Sequence, residues 1–322
     1  MYMSMILCYN EIIDYFYGEC MEEIEKKLPE YLIEQLKLQY NESEYKEILK
    51  GYSSKRKTTL RVNSIKSDYE KISESLRKND IEFYNPDWNK STFIIENADE
   101  AEIEKLDIYK NGEIYLQSLS SILPPIILNP KEGEDILDMA AAPGGKTTQI
   151  ASITDNKANI TACEMNKLRA EKLKYNIEKQ GASSVNVMIT DARRMDDFFS
   201  FDRILLDAPC SGSGTININD NKILFTKDFA DKLEKTQTAL LDKAINVLKK
   251  GHTMVYSTCS ILTRENENIV NKFIKQGKID IVPIQFNGVE NIPQLPNKLN
   301  GTILVAPNEL YEGFFVAKLI KK

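Results

Sequence analysis

Apolar and polar positions along this chain change rhythm near residue 110. Before that point, Ile24, Leu28, Leu32, Ile33 and Leu36 recur at helical spacing, and Pro29 interrupts the run where a second helix is expected to begin. Residues 58–63 (TTLRVN) alternate and predict a strand, 68–79 a helix, and FIIE at 93–96 another strand. Together these make a small α+β module. From Asn111 onward, apolar runs alternate with long amphipathic segments. Strands are expected over 134–139, 159–164, 185–190, 201–209 and 254–258. Helices are expected to open near Gly144 and to fill 166–180, about 229–249, and 264–275. Buried strands alternating with helices predict a Rossmann-like α/β domain with a doubly wound, mostly parallel sheet. The expected division is 1–110 for the N-terminal helical and α+β module and 111–322 for the α/β domain.

Composition removes several classes of function. The chain has 322 residues and one histidine, His252, which makes a hydrolase triad improbable. A lone histidine beside a strand is expected to be satisfied or exposed. The five cysteines, at 8, 20, 163, 210 and 259, form no C-x-x-C pair, so no metal site is expected. Their odd number and wide spacing also argue against a disulfide framework. No apolar run approaches the roughly 20 residues of a membrane helix. Met1–Cys8 lacks the basic start of a signal peptide, so the expected location is the cytoplasm. A monomer is expected.

Charge is uneven. The formal net charge is −6, yet residues 50–66 carry six bases and no acid, whereas residues 1–47 carry eleven acids and four bases. Within the basic window, Lys55, Arg56, Lys57 and Arg61 are candidate phosphate contacts for a nucleic acid. The competing reading is a solvated face. Arg193 and Arg194 are the next candidates.

In doubly wound sheets, ligands sit beyond the carboxyl ends of the strands. Here the first such strand runs into Ala140-Ala141-Ala142-Pro143-Gly144-Gly145-Lys146, small residues that let a ligand approach the backbone. Gly145-Lys146-Thr147 imitates the end of a P-loop, but Ala140 stands where that motif needs glycine, and G-x-G-x-x-G is absent. Glu164, Asp191 and Asp207 close the next three strands. Glu164 suits a ribose diol, and each lone acid could also be a helix cap. A ligand with ribose, no phosphate and a positive charge fits, which points to S-adenosylmethionine. Cys210 and Cys259 end neighbouring strands and are expected to face one crevice, whereas Cys8, Cys20 and Cys163 fit small buried hydrophobes.

QSLSSILPP (117–125), LDMAAAPGGKT (137–147), LLDAPCSGSG (205–214), VYSTCSILTRENE (255–267) and EGFF (312–315) closely resemble the Nop/Sun family of RNA cytosine-5 methyltransferases. The resemblance covers about residues 111–318, and TTLRVN resembles the entry to that family's small RNA-binding module. It implies that Cys259 is the nucleophile that adds to carbon 6 of cytosine and that Cys210 assists product release. Asp207 would hold the ring edge. The cofactor would rest on Ala140–Lys146, Glu164, Asp191 and Asp207, and the partner would be ribosomal or transfer RNA. Position 140 often holds cysteine in the family, and LVAPNELY lacks the basic residues common before EGFF. Only a few residues follow EGFF, so no appended C-terminal domain is expected. Two other readings are a DNA cytosine-5 methyltransferase, which would use the Pro-Cys cysteine as nucleophile, and an RNA-binding ribosome-assembly factor with dispensable catalysis.

Overall fold

The computed structural model describes residues 21–219 and 223–322. Cys8 and Cys20 lie outside the described residues.

Two helices precede the first sheet, α1 (Glu30–Gln39) and α2 (Glu42–Ser53). Pro29 sits at the N-cap of α1, where its missing N–H costs no intrahelical bond. Asn41 starts α2 with a reciprocal cap: its side chain accepts from Glu44 N, and the Glu44 carboxylate accepts from Asn41 N. A small antiparallel sheet follows, in the order β2-β3-β1-β4, from β1 (Thr59–Val62), β2 (Phe83–Tyr84), β3 (Thr92–Ile95) and β4 (Ile114–Leu116). Helix α3 (Tyr69–Lys78) shares its core, where Leu60, Val62, Ile72, Leu76 and Phe93 pack together. Short helices α4 (Glu100–Ile103) and α5 (Asp107–Lys110) lead into β4.

The α/β domain begins with α6 (Leu119–Leu128). Its elements are β5 (Asp135–Asp138), α7 (Gly145–Ile153), β6 (Asn159–Cys163), α8 (Lys167–Gln180), β7 (Val185–Met188), β8 (Phe201–Asp207), α9 (Lys227–Val247), β9 (Leu248–Thr258) and α10 (Glu267–Lys275). Strands β10 (Ile279–Ile281), β11 (Ile303–Val305) and β12 (Phe314–Lys321) end the chain. The sheet runs β10-β12-β9-β8-β5-β6-β7, with β11 also on β12. Strands β5 to β9 pair in parallel, and the last three join antiparallel. The chain winds from β5 outward through β6 to β7, then returns to the other side of β5 as β8. The switch point therefore lies between β5 and β8, at the ends that carry Asp138 and Asp207.

Two boundaries differ from the sequence-based division. The small sheet extends past residue 110, because Leu60, Arg61 and Val62 pair with Leu116, Tyr115 and Ile114 of β4. The N-terminal helices also bury their apolar faces against the α/β domain rather than the small sheet. Leu32, Leu36, Ile48, Leu49 and Tyr52 share one core with Leu206, Met254 and Tyr256. Among the described residues, no helix is long and apolar enough to cross a membrane.

Candidate active site

The loop after β5 is fixed by the strands on either side. Met139 N donates to Leu205 O at 3.0 Å and Ala141 N to Cys163 O at 2.9 Å. From α8, Arg169 Nη2 donates to Ala142 O at 2.7 Å and Asn176 Nδ2 to Pro143 O at 2.8 Å. Gly144 caps α7 at φ +110°, where a side chain would be strained and a Cβ would lie 2.9 Å from Leu173 Cδ1. The small residues of this loop thus meet close packing from α8 as well as open space on the ligand side.

That open space is a cleft of about 410 Å³, lined among others by Asp138, Ala140–Pro143, Lys146, Asp207 and Cys259. Lys146 Nζ donates to Asp207 Oδ2 at 2.8 Å, and Ser257 Oγ donates to Asp207 Oδ1 at 2.7 Å. Burial pulls the Lys146 ammonium down, but Asp207, with smaller contributions from Cys259 and Asp138, outweighs it and raises the pKa above the usual lysine value. Asp138 is the opposite case. Burial pushes its carboxyl up to about 6, against the Thr147 hydroxyl that donates to Oδ2 at 2.6 Å. Its Oδ1 is buried and makes no well-formed hydrogen bond among the described residues, although the Ala140 backbone amide also acts to lower the pKa.

The two expected cysteines come together. Cys210 Sγ and Cys259 Sγ stand 2.9 Å apart, both free thiols. Of the two, Cys259 is the one that lines the cleft, and both are partly exposed. The hydrogen bond to Cys259, and then burial, hold the Cys210 thiol well above its ordinary range. Cys163, by contrast, is buried at the end of β6, and burial pushes it up to about 12.

A residue not singled out from sequence organises both cysteine loops. Glu265 is fully buried and accepts from Ser211 N and Gln237 Nε2, each at 2.9 Å, and from the Ser211 and Ser260 hydroxyls at 2.5 Å. Its neighbour Asn266 donates to Ser260 O at 2.8 Å. A buried carboxylate needs such a full set of donors, so the loops are fixed by its demand. Gly214 and Gly313 pack backbone to backbone, with Gly313 N donating to Gly214 O at 2.8 Å and a Cβ on Gly214 falling 1.9 Å from Gly313 O. Glu312 reaches the cleft from there and accepts from Ser118 Oγ at 2.8 Å. Asp138, Thr147, Glu265 and Glu312 all lie inside the quoted sequence blocks; acids and hydroxyls in otherwise apolar or small-residue runs were the available signal.

A smaller cavity, about 90 Å³, opens on the other side of the loop and brings together Ala140, Glu164 and Asp191. Glu164 is only 3 % exposed; Oε1 accepts from Asn166 N at 2.8 Å, and Arg169 Nη1 lies 3.5 Å from Oε2. Asp191 pairs with Arg193 at 2.7 Å, which holds its carboxyl below the usual range. Ala140 borders both cavities.

The basic window is mostly not a free cationic face. Arg61 is 3 % exposed: Nε donates to Gln117 Oε1 at 2.8 Å, and Nη2 to Thr148 Oγ1 at 2.8 Å and Gly145 O at 3.0 Å. It cannot contact a phosphate there. Arg56 donates to Thr215 O at 3.0 Å and Ile216 O at 3.2 Å, and Lys57 pairs with Glu96 at 2.8 Å. Lys55 is exposed. His252 is partly exposed on β9, with Nδ1 3.2 Å from Asp202 O. Among the described residues there is no cluster of three or more candidate metal ligands.

Fold and cleft define a Rossmann-like domain of the methyltransferase type with a separate small sheet. The chain belongs to the family described as 16S rRNA methyltransferase RsmB/F, whose model matches residues 125–320. The RsmF/B-like ferredoxin-like domain model matches residues 28–101. The chain is 30% identical over 304 residues to a probable ribosomal RNA small subunit methyltransferase B of Bacillus subtilis, covering 91% of this chain and 66% of that protein. It is 37% identical over 224 residues to a tRNA (cytosine(72)-C(5))-methyltransferase of Pyrococcus horikoshii, covering 68% of this chain and 55% of that protein. The chain thus spans between 55% and 66% of the length of these two relatives. Among solved structures, NSun6 from Pyrococcus horikoshii with SFG is similar at TM-score 0.81 and 25% identity, covering 91% of this chain and 98% of that one.

Proposed function

We propose that this protein methylates carbon 5 of cytosine in RNA, using S-adenosylmethionine and Cys259 as nucleophile. The observation that carries the reading is the asymmetry of the thiol pair: Cys259 lines the cleft with Lys146 and Asp207, and Cys210, 2.9 Å from it, does not.

The residues present fit the cofactor. Two cavities that meet at Ala140 suit a long ligand. Glu164 and Asp191 would hold its ribose and base, and the carboxylates of Asp138 and Asp207 would face its cationic end. Asp138 Oδ1, which makes no well-formed hydrogen bond, supports this, since a buried acceptor without a good donor is costly unless a ligand supplies one. S-adenosylmethionine supplies an electrophilic methyl group when bound.

The chain's own residues do the rest. Cys259 adds as thiolate to carbon 6, forming a C–S bond and making carbon 5 nucleophilic. Lys146 balances charge developing on the ring, and Asp207, fixed by Lys146 and Ser257, accepts from the exocyclic amino group. Cys210 keeps its proton at this stage and is a hydrogen-bond donor to the Cys259 thiolate. Once Cys259 is a thioether, that bond weakens and Cys210 loses its proton to water. The Cys210 thiolate then takes the proton from methylated carbon 5. The 5,6 double bond re-forms, the C6–S bond breaks and Cys259 leaves as thiolate.

The test is product identity. Purified protein with S-adenosylmethionine and ribosomal or transfer RNA transcripts should yield 5-methylcytidine after nuclease digestion, and none with Cys259→Ser. Product only in DNA of the same sequence, or another methylated nucleoside, would overturn the reading.

A further inference from the structure

A second cavity, of about 690 Å³, lies between the approach to β1 and the turn from β3 into α4, and Glu100 lines both it and the active-site cleft. That volume is in the range of sites that hold a small ligand. Its charged lining is mixed, and most of it is already engaged. Lys57 is paired with Glu96 at 2.8 Å. Asp99 and Glu102 satisfy each other's backbone amides at the start of α4, both at 2.9 Å. The side chains of Lys55 and Glu100 are both exposed and make no hydrogen bond or ion pair with any described residue. Among the described residues, one unpaired ammonium and one unpaired carboxylate therefore border this groove, and Glu100 borders the cleft as well.

Resting on the proposed reaction, we propose that this groove is the subsite for a nucleotide next to the target cytosine, and that it selects guanine. Lys55 supplies the ammonium for the intervening phosphate, which carries no sequence information. Glu100 supplies the selection. A carboxylate only accepts hydrogen bonds, and it does so through two oxygens side by side. Guanine alone among the four RNA bases presents two adjacent N–H donors, N1–H and N2–H, on one edge. Adenine, uracil and cytosine each place an acceptor in that pair, which Glu100 would repel. Single-stranded segments are where such edges are open to side chains. The carboxylates in this lining, a poor feature for a surface that only grips phosphates, suit the reading of a base edge.

The test uses the full-length protein and short single-stranded RNAs with one cytosine, in which the nucleotide on either side is guanosine, inosine or adenosine. Inosine keeps N1–H and lacks the N2 amino group. Affinity is read by fluorescence anisotropy, and methylation of the same RNAs is read separately, so that failure of the reaction and failure of the subsite are distinguishable. At one of the two flanking positions, guanosine should bind about tenfold more tightly than inosine. Glu100→Gln, which swaps one acceptor oxygen for a donor, should bring that ratio near unity. The two changes should be non-additive in a cycle. Lys55→Ala should weaken all the RNAs alike and flatten the log–log salt slope by about 0.7. A guanosine-to-inosine ratio of unity in the wild type, or one unchanged in Glu100→Gln, overturns the proposal. Binding as expected without 5-methylcytidine would leave the groove standing and remove the reaction.

Discussion

At the scale of single residues, the proposed chemistry turns on the thiol pair, and Asp138 lines the same cleft as Cys259. If Cys210 takes the proton from carbon 5, Cys210→Ala should leave the first half of the reaction intact and stall the second. A covalent protein–RNA adduct should then accumulate with S-adenosylmethionine and survive denaturing electrophoresis. A Cys210→Ala protein that turns over at the wild-type rate with no adduct would remove that role. Asp138 gives a prediction in pH. Its carboxyl is raised from 3.8 to about 6 by burial, so the folded protein binds this proton more tightly than the unfolded chain. The sign is that of a raised acid: the associated stability is complete below about pH 4 and lost as pH rises through about 6. At 1.36 kcal/mol per pH unit, the loss is about 3 kcal/mol. Urea unfolding of Asp138→Asn should lack this decline between pH 4 and 6. Parallel curves for the two proteins would show that Asp138 is solvated or partnered.

At the scale of elements, the parallel strands β5 to β9 were readable as short apolar runs between helical segments, whereas β12 (Phe314–Lys321) was not read as a strand. The expected spans 159–164 and 201–209 correspond to β6 and β8 within a residue or two. Strands β10 and β11 were not legible, being only three residues each and stabilised by pairing with β12 rather than by a pattern of their own. Arg61 shows a different limit. In β1, Leu60 and Val62 point into the small core, so alternation puts Arg61 on the opposite, apparently solvent-facing side. That side is covered by α7, and sequence periodicity does not say what covers a polar face. Arg61 therefore ties β1 to the start of the cofactor loop's helix through Gly145 O and Thr148, and its guanidinium lies over the Tyr115 ring at 5.1 Å. Removing it leaves Gln117 and these partners unsatisfied in a buried seam. Arg61→Ala should cost about 2–4 kcal/mol in urea unfolding, while the salt slope of RNA binding stays at the wild-type value. A neutral change in stability with a flatter slope would return Arg61 to the phosphate-contact role read from sequence.

At the scale of the molecule, the N-terminal helices act as part of the catalytic domain. The Tyr52 hydroxyl donates to Ser213 O, Tyr40 donates to Ile261 O at 2.5 Å, and Gln39 brackets the same turn through Ile261 O and Thr263 N, both at 2.8 Å. The loops that follow Cys210 and Cys259 are thus held from outside the sheet by α1 and α2. Amphipathic spacing indicated which face of each helix is buried but not against which partner, which is why the sequence grouped them with the small sheet. The candidate site was more legible than this division, since Asp207, Cys210 and Cys259 end or directly follow neighbouring strands and Lys146 lies in the first turn of the helix after β5. The account as a whole rests on Cys259 attacking cytosine in RNA, and a substrate that cannot complete the reaction tests that directly. RNA in which 5-fluorocytidine replaces cytidine has no proton to lose from carbon 5, so the enzyme should remain attached after methyl transfer. Protease digestion and mass spectrometry of the trapped complex should place the methylated nucleotide on the peptide that carries Cys259, and Cys259→Ser should trap nothing. A linkage through Cys210, or a linkage that persists in Cys259→Ser, would contradict the account.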